Sequence, residues 1–147
     1  DELMPTELAD AVRECLAAHA PEASERGIEL SYVGPNSLMT RCPGQTMASI
    51  LDNLVGNAIR YGRPGGQVEV SLARADGGVL RLFVADDGPG IPEEIRDRIF
   101  YPLVSGREGG SGLGLTLAQT FVQQHHGTID CESVPGRTVF KILIPLP

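Results

Sequence analysis

Residues 45–62, QTMASILDNLVGNAIRYG, decide how this chain is read. Met47, Ile50, Leu51, Leu54, Val55 and Ala58 recur at helical spacing, so the segment predicts an amphipathic helix ended by Gly62 and the run Arg63-Pro64-Gly65-Gly66. With Met47 at zero and 100° per residue, the apolar stripe centres at roughly 10°, while Asn53, Asn57 and Arg60 fall at roughly 240°, 280° and 220°. Two amides and a guanidinium therefore share one flank beside the core, and Asp52, at roughly 140°, lies on the other. A solvated helix face explains any one such residue. Asn is a modest helix former, however, and two of them one turn apart mid-helix ask for a reason beyond solubility.

Working outward, residues 6–20 carry Leu8, Ala11, Val12, Cys15 and Leu16 on one stripe, a first helix with Thr6 as its expected cap. IELSYVG (28–34) and SLMTRCP (37–43) read as short strands. QVEVSLAR and VLRLFVAD, separated by Ala75-Asp76-Gly77-Gly78, predict a hairpin with one apolar face, hence helices on one side of the sheet. Residues 91–111 mix a short helical pattern with Pro102, Gly106, Gly109 and Gly110, and predict a mobile lid. A third long helix is expected from Leu113 to about His126, with Leu117, Ala118, Phe121 and Val122 inward and Gly127 as its stop. TIDCESV and TVFKILIPL then form a second hairpin around Pro135-Gly136.

The chain has 147 residues, 41% apolar, which suits a single domain spanning residues 1–147. Twelve Lys and Arg against nineteen Asp and Glu leave a net charge of −7, without the basic field that nucleic acid or an anionic membrane requires. No apolar run approaches the roughly 20 residues that span a bilayer. Cys15, Cys42 and Cys131 are odd in number and far apart, with no C-x-x-C, which argues against a disulfide framework and against a cysteine zinc site, and for a reducing cytoplasm. His19, His125 and His126 form no i, i+4 pair, so a metal held by imidazoles is not expected. Lys141, the only lysine, follows no glycine-rich loop, which excludes a G-x-x-x-x-G-K-[ST] phosphate loop.

Two further motifs carry chemistry. Asp86-Asp87-Gly88-Pro89-Gly90-Ile91 follows a strand directly, placing a carboxylate at the strand end and glycines where a backbone must approach a ligand closely. Alone it reads as a turn. Gly110-Ser111-Gly112-Leu113-Gly114-Leu115 opens a helix, where free N–H groups favour a phosphate. A dinucleotide fingerprint would need its third glycine where Leu115 stands, so that reading fails.

In this order, an amide-bearing helix, D-x-G-x-G after a strand, a lid and G-x-G-L-G-L at a helix start resemble the gyrase/histidine-kinase ATPase superfamily. Within it the chain is similar, over nearly its whole length, to the catalytic ATP-binding domain of bacterial sensor histidine kinases. IFYPLVSGREGGSGLGL (99–115) and QHHGTIDCESVPGRTVFKILIPL (124–146) are similar to the nitrogen-regulation sensor kinases, while NLVGNAIRYG is closer to the general kinase pattern. The resemblance implies the Bergerat fold, an α/β (α+β) two-layer sandwich whose mixed sheet carries three main helices on one face and a mobile ATP lid.

It also implies ATP and Mg²⁺ as cofactors, and roles for matching residues. Asn57 would be the metal ligand, supported by Asn53, and Arg60 would face the phosphates. Asp86 would bind the adenine amino group and Tyr61 would lie against the base. Gly88, Gly90 and Ile91 would let the chain approach the nucleotide. Gly110, Ser111, Gly112, Leu113 and Gly114 would carry the phosphates, with Arg107 as a lid cation. His125 matches a histidine of the family and is read as structural.

The hydrolysing members of the superfamily place a glutamate one turn before the magnesium asparagine, where this chain has Asn53, and an amide cannot take a proton from water. The resemblance therefore implies phosphoryl transfer to an acceptor. No histidine here lies in the acceptor pattern H-E-[LIF]-[RKN]-x-P, so the acceptor histidine and dimerisation helices are expected on an upstream part, without which the domain is not an autokinase. A response regulator downstream and a PII-type signal protein are the implied partners, and the isolated domain is expected to be a monomer. A self-sufficient ATPase clamp and a non-catalytic nucleotide-sensing module are the alternatives, separated from the first reading by phosphate release and by transfer assays.

Overall fold

The computed structural model describes residues 3–96 and 115–146. Among these, strand β1 (Leu3–Glu7) leads into helix α1 (Leu8–Glu25), followed by β2 (Glu29–Val33) and β3 (Met39–Pro43). Helix α2 (Gly44–Tyr61) precedes the hairpin β4 (Gln67–Ala75) and β5 (Val79–Asp86). The short α3 (Glu93–Arg96), then α4 (Thr116–Gln124), β6 (Thr128–Val134) and β7 (Arg137–Pro145), complete the order.

Five strands form one sheet in the order β2-β4-β5-β7-β6, with β2 parallel to β4 and every other neighbour antiparallel. Period-two alternation turns Val68, Val70 and Leu72 of β4 and Leu80, Leu82 and Val84 of β5 inward, where they are buried. Ile50, Leu51, Leu54 and Val55 of α2 and Phe121 and Val122 of α4 join them in one core, as do Leu8 and Val12 of α1. The opposite face is polar, with Arg81 4.8 Å and Lys141 5.6 Å from the Phe83 ring centroid. The chain has the Bergerat fold expected from its motifs. No described helix is long and apolar enough to cross a membrane.

Several local expectations are corrected. Thr6 does not cap α1, because it belongs to β1, which pairs antiparallel with β3 in a separate two-stranded sheet. Glu7 is the cap: its Oε1 accepts from Ala9 N at 2.9 Å and from Leu38 N at 2.7 Å, and its Oε2 accepts from Ser37. Helix α1 runs through Pro21 to Glu25 rather than ending at residue 20, since the buried Ala23 extends its packed face. In α4 Leu117 is 40% exposed and not inward, whereas Ala118, Phe121 and Val122 are buried. The left-handed residue that ends α4 is His126, at φ 61°, rather than Gly127.

Candidate functional site

The helical-wheel flank of α2 is real, and its members differ in exposure. Asn53 and Arg60 are exposed, while Asn57 is buried at 7% of its surface. Asn57 thus sits at the packed edge of that flank rather than in solvent. Arg60 Nη1 donates to Asn57 Oδ1 at 2.9 Å, so the guanidinium lies on the amide and holds its oxygen in place. Arg60 also lies 5.7 Å from the ring centroid of Tyr61, which is 40% exposed. Asp52 sits on the other flank, against α1, as its angular position requires.

Three carbonyls at the C-terminal end of α2 converge on one cation. Arg26, just past the end of α1, donates through Nη1 to Ile59 O at 2.7 Å and Arg60 O at 2.6 Å, and through Nη2 to Gly62 O at 3.2 Å. A helix end leaves carbonyls unpaired and partly negative, which a guanidinium satisfies. Sequence reasoning missed Arg26. Its only sequence signal is a basic residue before Gly27, and the partners lie more than thirty residues away.

Asp86 ends β5 on the same inward parity as Leu82 and Val84, so the strand carries a carboxylate toward the helix layer. Its Oδ1 accepts from Gly88 N at 2.9 Å. Burial pushes the Asp86 carboxyl above the ordinary 3.8; the Gly88 N–H opposes that rise and the neighbouring Asp87 charge adds to it. Asp87 has the reverse environment. It accepts from Gln67 N and Arg63 Nη2, each at 3.0 Å, and is held below the ordinary value, chiefly by the Gln67 N–H and then by Arg63. Asp87 is thus a tie between the strand end and the turn after α2, and it lines an open cleft of about 480 Å³ with Gly62, Arg63, Gly88 and Gly136.

The two glycines of the motif are required by packing. A Cβ on Gly88 would lie 3.0 Å from Gly62 Cα and 3.1 Å from Tyr61 O, so the turn after β5 rests directly on the end of α2. Gly90 has φ 95°, and a Cβ there would lie 3.1 Å from Val134 O. The loop is pinned to the β6–β7 turn by Gly136 N donating to Gly88 O at 2.8 Å and Ile91 N donating to Ser133 Oγ at 2.7 Å. The buried Ser133 and Thr138 hydroxyls lie 2.8 Å apart, completing that support. Ile91 itself is half-buried against the core.

The structure therefore brings Asn57, Arg60, Tyr61, Asp86, Gly88, Gly90 and Ile91 around one corner, where α2 ends and β5 turns. Arg107, Gly110, Ser111, Gly112, Leu113 and Gly114 lie outside the described residues, as does most of the expected lid. His125 closes the end of α4 and stacks on Phe121 with centroids 4.6 Å apart, a structural position.

The Asn57 amide oxygen is a hard, neutral donor of the kind that could hold Mg²⁺. That suits a cation which takes few protein ligands and keeps waters and phosphate oxygens.

Comparisons with known proteins agree with this architecture. Residues 44–147 match the family model described as histidine kinase-, DNA gyrase B- and HSP90-like ATPase. The chain is 41% identical over 107 residues to the sensory histidine kinase/phosphatase NtrB of Klebsiella oxytoca, covering 66% of this chain and 31% of that protein. It thus spans about a third of that curated relative. Among solved structures, the catalytic domain of histidine kinase ThkA superposes with a TM-score of 0.89 at 26% identity, covering 99% of this chain and 97% of that one. Full-length ShkA, solved in complex with AMPPNP, gives 0.84 at 28% identity, covering 98% of this chain and 31% of that one.

Proposed function

Since the chain belongs to the histidine kinase-, DNA gyrase B- and HSP90-like ATPase family, we propose that it binds Mg-ATP and presents the γ-phosphate to a histidine on a separate dimerisation and acceptor domain of a two-component sensor kinase. The observation that carries this reading is the seating of the Gly88 turn on the end of α2, which sets Asp86, Tyr61 and the Asn57–Arg60 pair around one corner. The NtrB relatives support nitrogen regulation as the setting; a response regulator as the next acceptor and a PII-type protein as the signal source are part of the same proposal. The likeness to ShkA, solved with AMPPNP, supports a nucleotide as ligand. A cytoplasmic location and a monomeric isolated domain belong to the same reading.

Each residue has a physical task. Asp86 is a desolvated carboxylate with one oxygen already accepting from Gly88 N, and its remaining lone pairs take a donor such as the adenine amino group. The half-exposed Tyr61 ring offers a flat apolar surface for the base. Asn57 holds the cation and Arg60 fixes the amide that does so, while its charge faces the phosphates. Asn53 supports Asn57 and takes no proton, which disfavours attack by water. Gly110, Ser111, Gly112, Leu113 and Gly114, with Arg107, complete the phosphate and lid contacts. Mg²⁺, when bound, offsets phosphate charge. The protein otherwise acts by positioning.

Calorimetric titration with a non-hydrolysable ATP analogue, with and without Mg²⁺, tests the site. The expected result is binding that strengthens with magnesium, weakens in Asn57→Ala and discriminates ATP from GTP. Absence of binding overturns the proposal. Steady phosphate release without an acceptor domain would replace transfer by hydrolysis.

A further inference from the structure

On the flank of α2 opposite Asn57 the fold assembles three side chains of metal-binding type. Cys15 and His19, four residues apart on α1, share one face, and Asp52 of α2 meets them. Cys15 Sγ lies 3.5 Å and His19 Nε2 lies 3.3 Å from the same oxygen, Asp52 Oδ1. All three ligand atoms fall within 4.8 Å of one another. A tetrahedral zinc ion, with bonds of about 2.3 Å to sulfur and about 2.0 Å to nitrogen and oxygen, sets its S···O edge near 3.5 Å and its N···O edge near 3.3 Å.

Two further features distinguish this trio from a chance polar contact. His19 Nδ1 is 3.2 Å from Glu22 Oε1, a carboxylate partner that fixes the ring and leaves Nε2 for an ion. The Cys15 thiol is buried at the floor, whereas the Asp52 side chain is 58% and that of His19 19% exposed, so the ligand set opens to solvent at its carboxylate end.

We propose that Cys15, His19 and Asp52 form a binding site for a thiophilic divalent ion of the Zn²⁺ class, with the fourth position left to water, joining α1 to α2. A sulfur ligand with an imidazole favours such an ion over Mg²⁺. As the ion binds, the Cys15 S–H bond gives its proton to solvent and an S–metal bond forms, with no change of oxidation state. Burial and the adjacent Asp52 charge push the Cys15 thiol up to about 12 in the metal-free chain. A dication reverses the electrostatic balance, since thiolate and carboxylate then share a positive centre.

Cobalt(II) titration of the folded chain reads this site directly. A thiolate ligand gives a near-ultraviolet charge-transfer band that oxygen ligands alone, such as the Asn57 amide, cannot produce. The expected result is one equivalent of cobalt with that band and tetrahedral visible bands, both erased by zinc. Cys15→Ser should abolish the charge-transfer band. His19→Gln and Asp52→Asn, both at accessible side chains, should each weaken the apparent affinity by about tenfold or more with an unchanged circular dichroism spectrum. These two variants decide the matter if Cys15→Ser does not fold. Absence of the band at roughly millimolar cobalt overturns the proposal, as does a band that survives Cys15→Ser and so belongs to Cys42 or Cys131. An affinity indifferent to both His19→Gln and Asp52→Asn also overturns it.

Discussion

Leu82 and Asp86 lie four residues apart on β5, both turned toward the helix layer, yet the regions around them are held by different forces. Around Leu82 the layers meet through apolar side chains, 1% exposed at Leu82 and Leu54, whose attraction is non-directional and shared among many neighbours. Around Asp86 the chain is held by a few directional polar contacts: Gly88 to Asp86, Gly136 to Gly88, Ile91 to Ser133, and Arg26 to three carbonyls at the end of α2. The interior supplies the stability on which the polar corner draws, because a desolvated carboxylate is itself unfavourable to folding.

Breaking the interior should have the largest effect. Leu82→Ala is expected to cost about 2–5 kcal/mol through lost burial and a residual cavity, read as a lower urea midpoint at unchanged denaturant slope. Arg26→Ala should cost about 1–3 kcal/mol by leaving carbonyls of the α2 end unpaired. Arg26→Lys should recover only part, since one ammonium does not reproduce the fork. Asp86→Asn should separate stability from binding: the nucleotide-free chain gains stability at neutral pH, while affinity for the ATP analogue falls about 10- to 100-fold. Loss of both together would place Asp86 with the structural ties instead.

The pH dependence is the finest comparison. Asp86 is raised in the folded protein, so the folded chain binds the proton more tightly, and stability falls as pH rises from 3.8 through the raised value. Asp87 is lowered, so its contribution is present above 3.8 and is lost as pH falls through the lowered value. Urea midpoints against pH should lose the first slope in Asp86→Asn and the second in Asp87→Asn.

Elements whose partners are local in sequence were legible. The 3.6-residue period of α2 revealed both its buried stripe and the amide flank, and alternation revealed the β4–β5 and β6–β7 hairpins. Strand β1 was not legible, because Leu3, Met4 and Pro5 are exposed and the strand alternates with no buried face. Choosing Glu7 over Thr6 as the cap depends on Ser37 and Leu38, thirty residues on. At the site, Asp86 and the glycines stood out as a motif. The packing that requires Gly90, against Val134 across the β6–β7 turn, has no signature in the motif itself.

The strand order has a consequence for how the chain is made. β7, the last strand in sequence, lies inside the sheet between β5 and β6, and pairs with β5 along its length from Val79 to Asp86. During synthesis β5 therefore waits as an unpaired edge until β7 has left the ribosome, and closure of the sheet depends on a contact far apart in sequence. The strand end bearing Asp86 is supported on that side only once β7 has paired, so chains that have not yet made β7 expose an aggregation-prone edge.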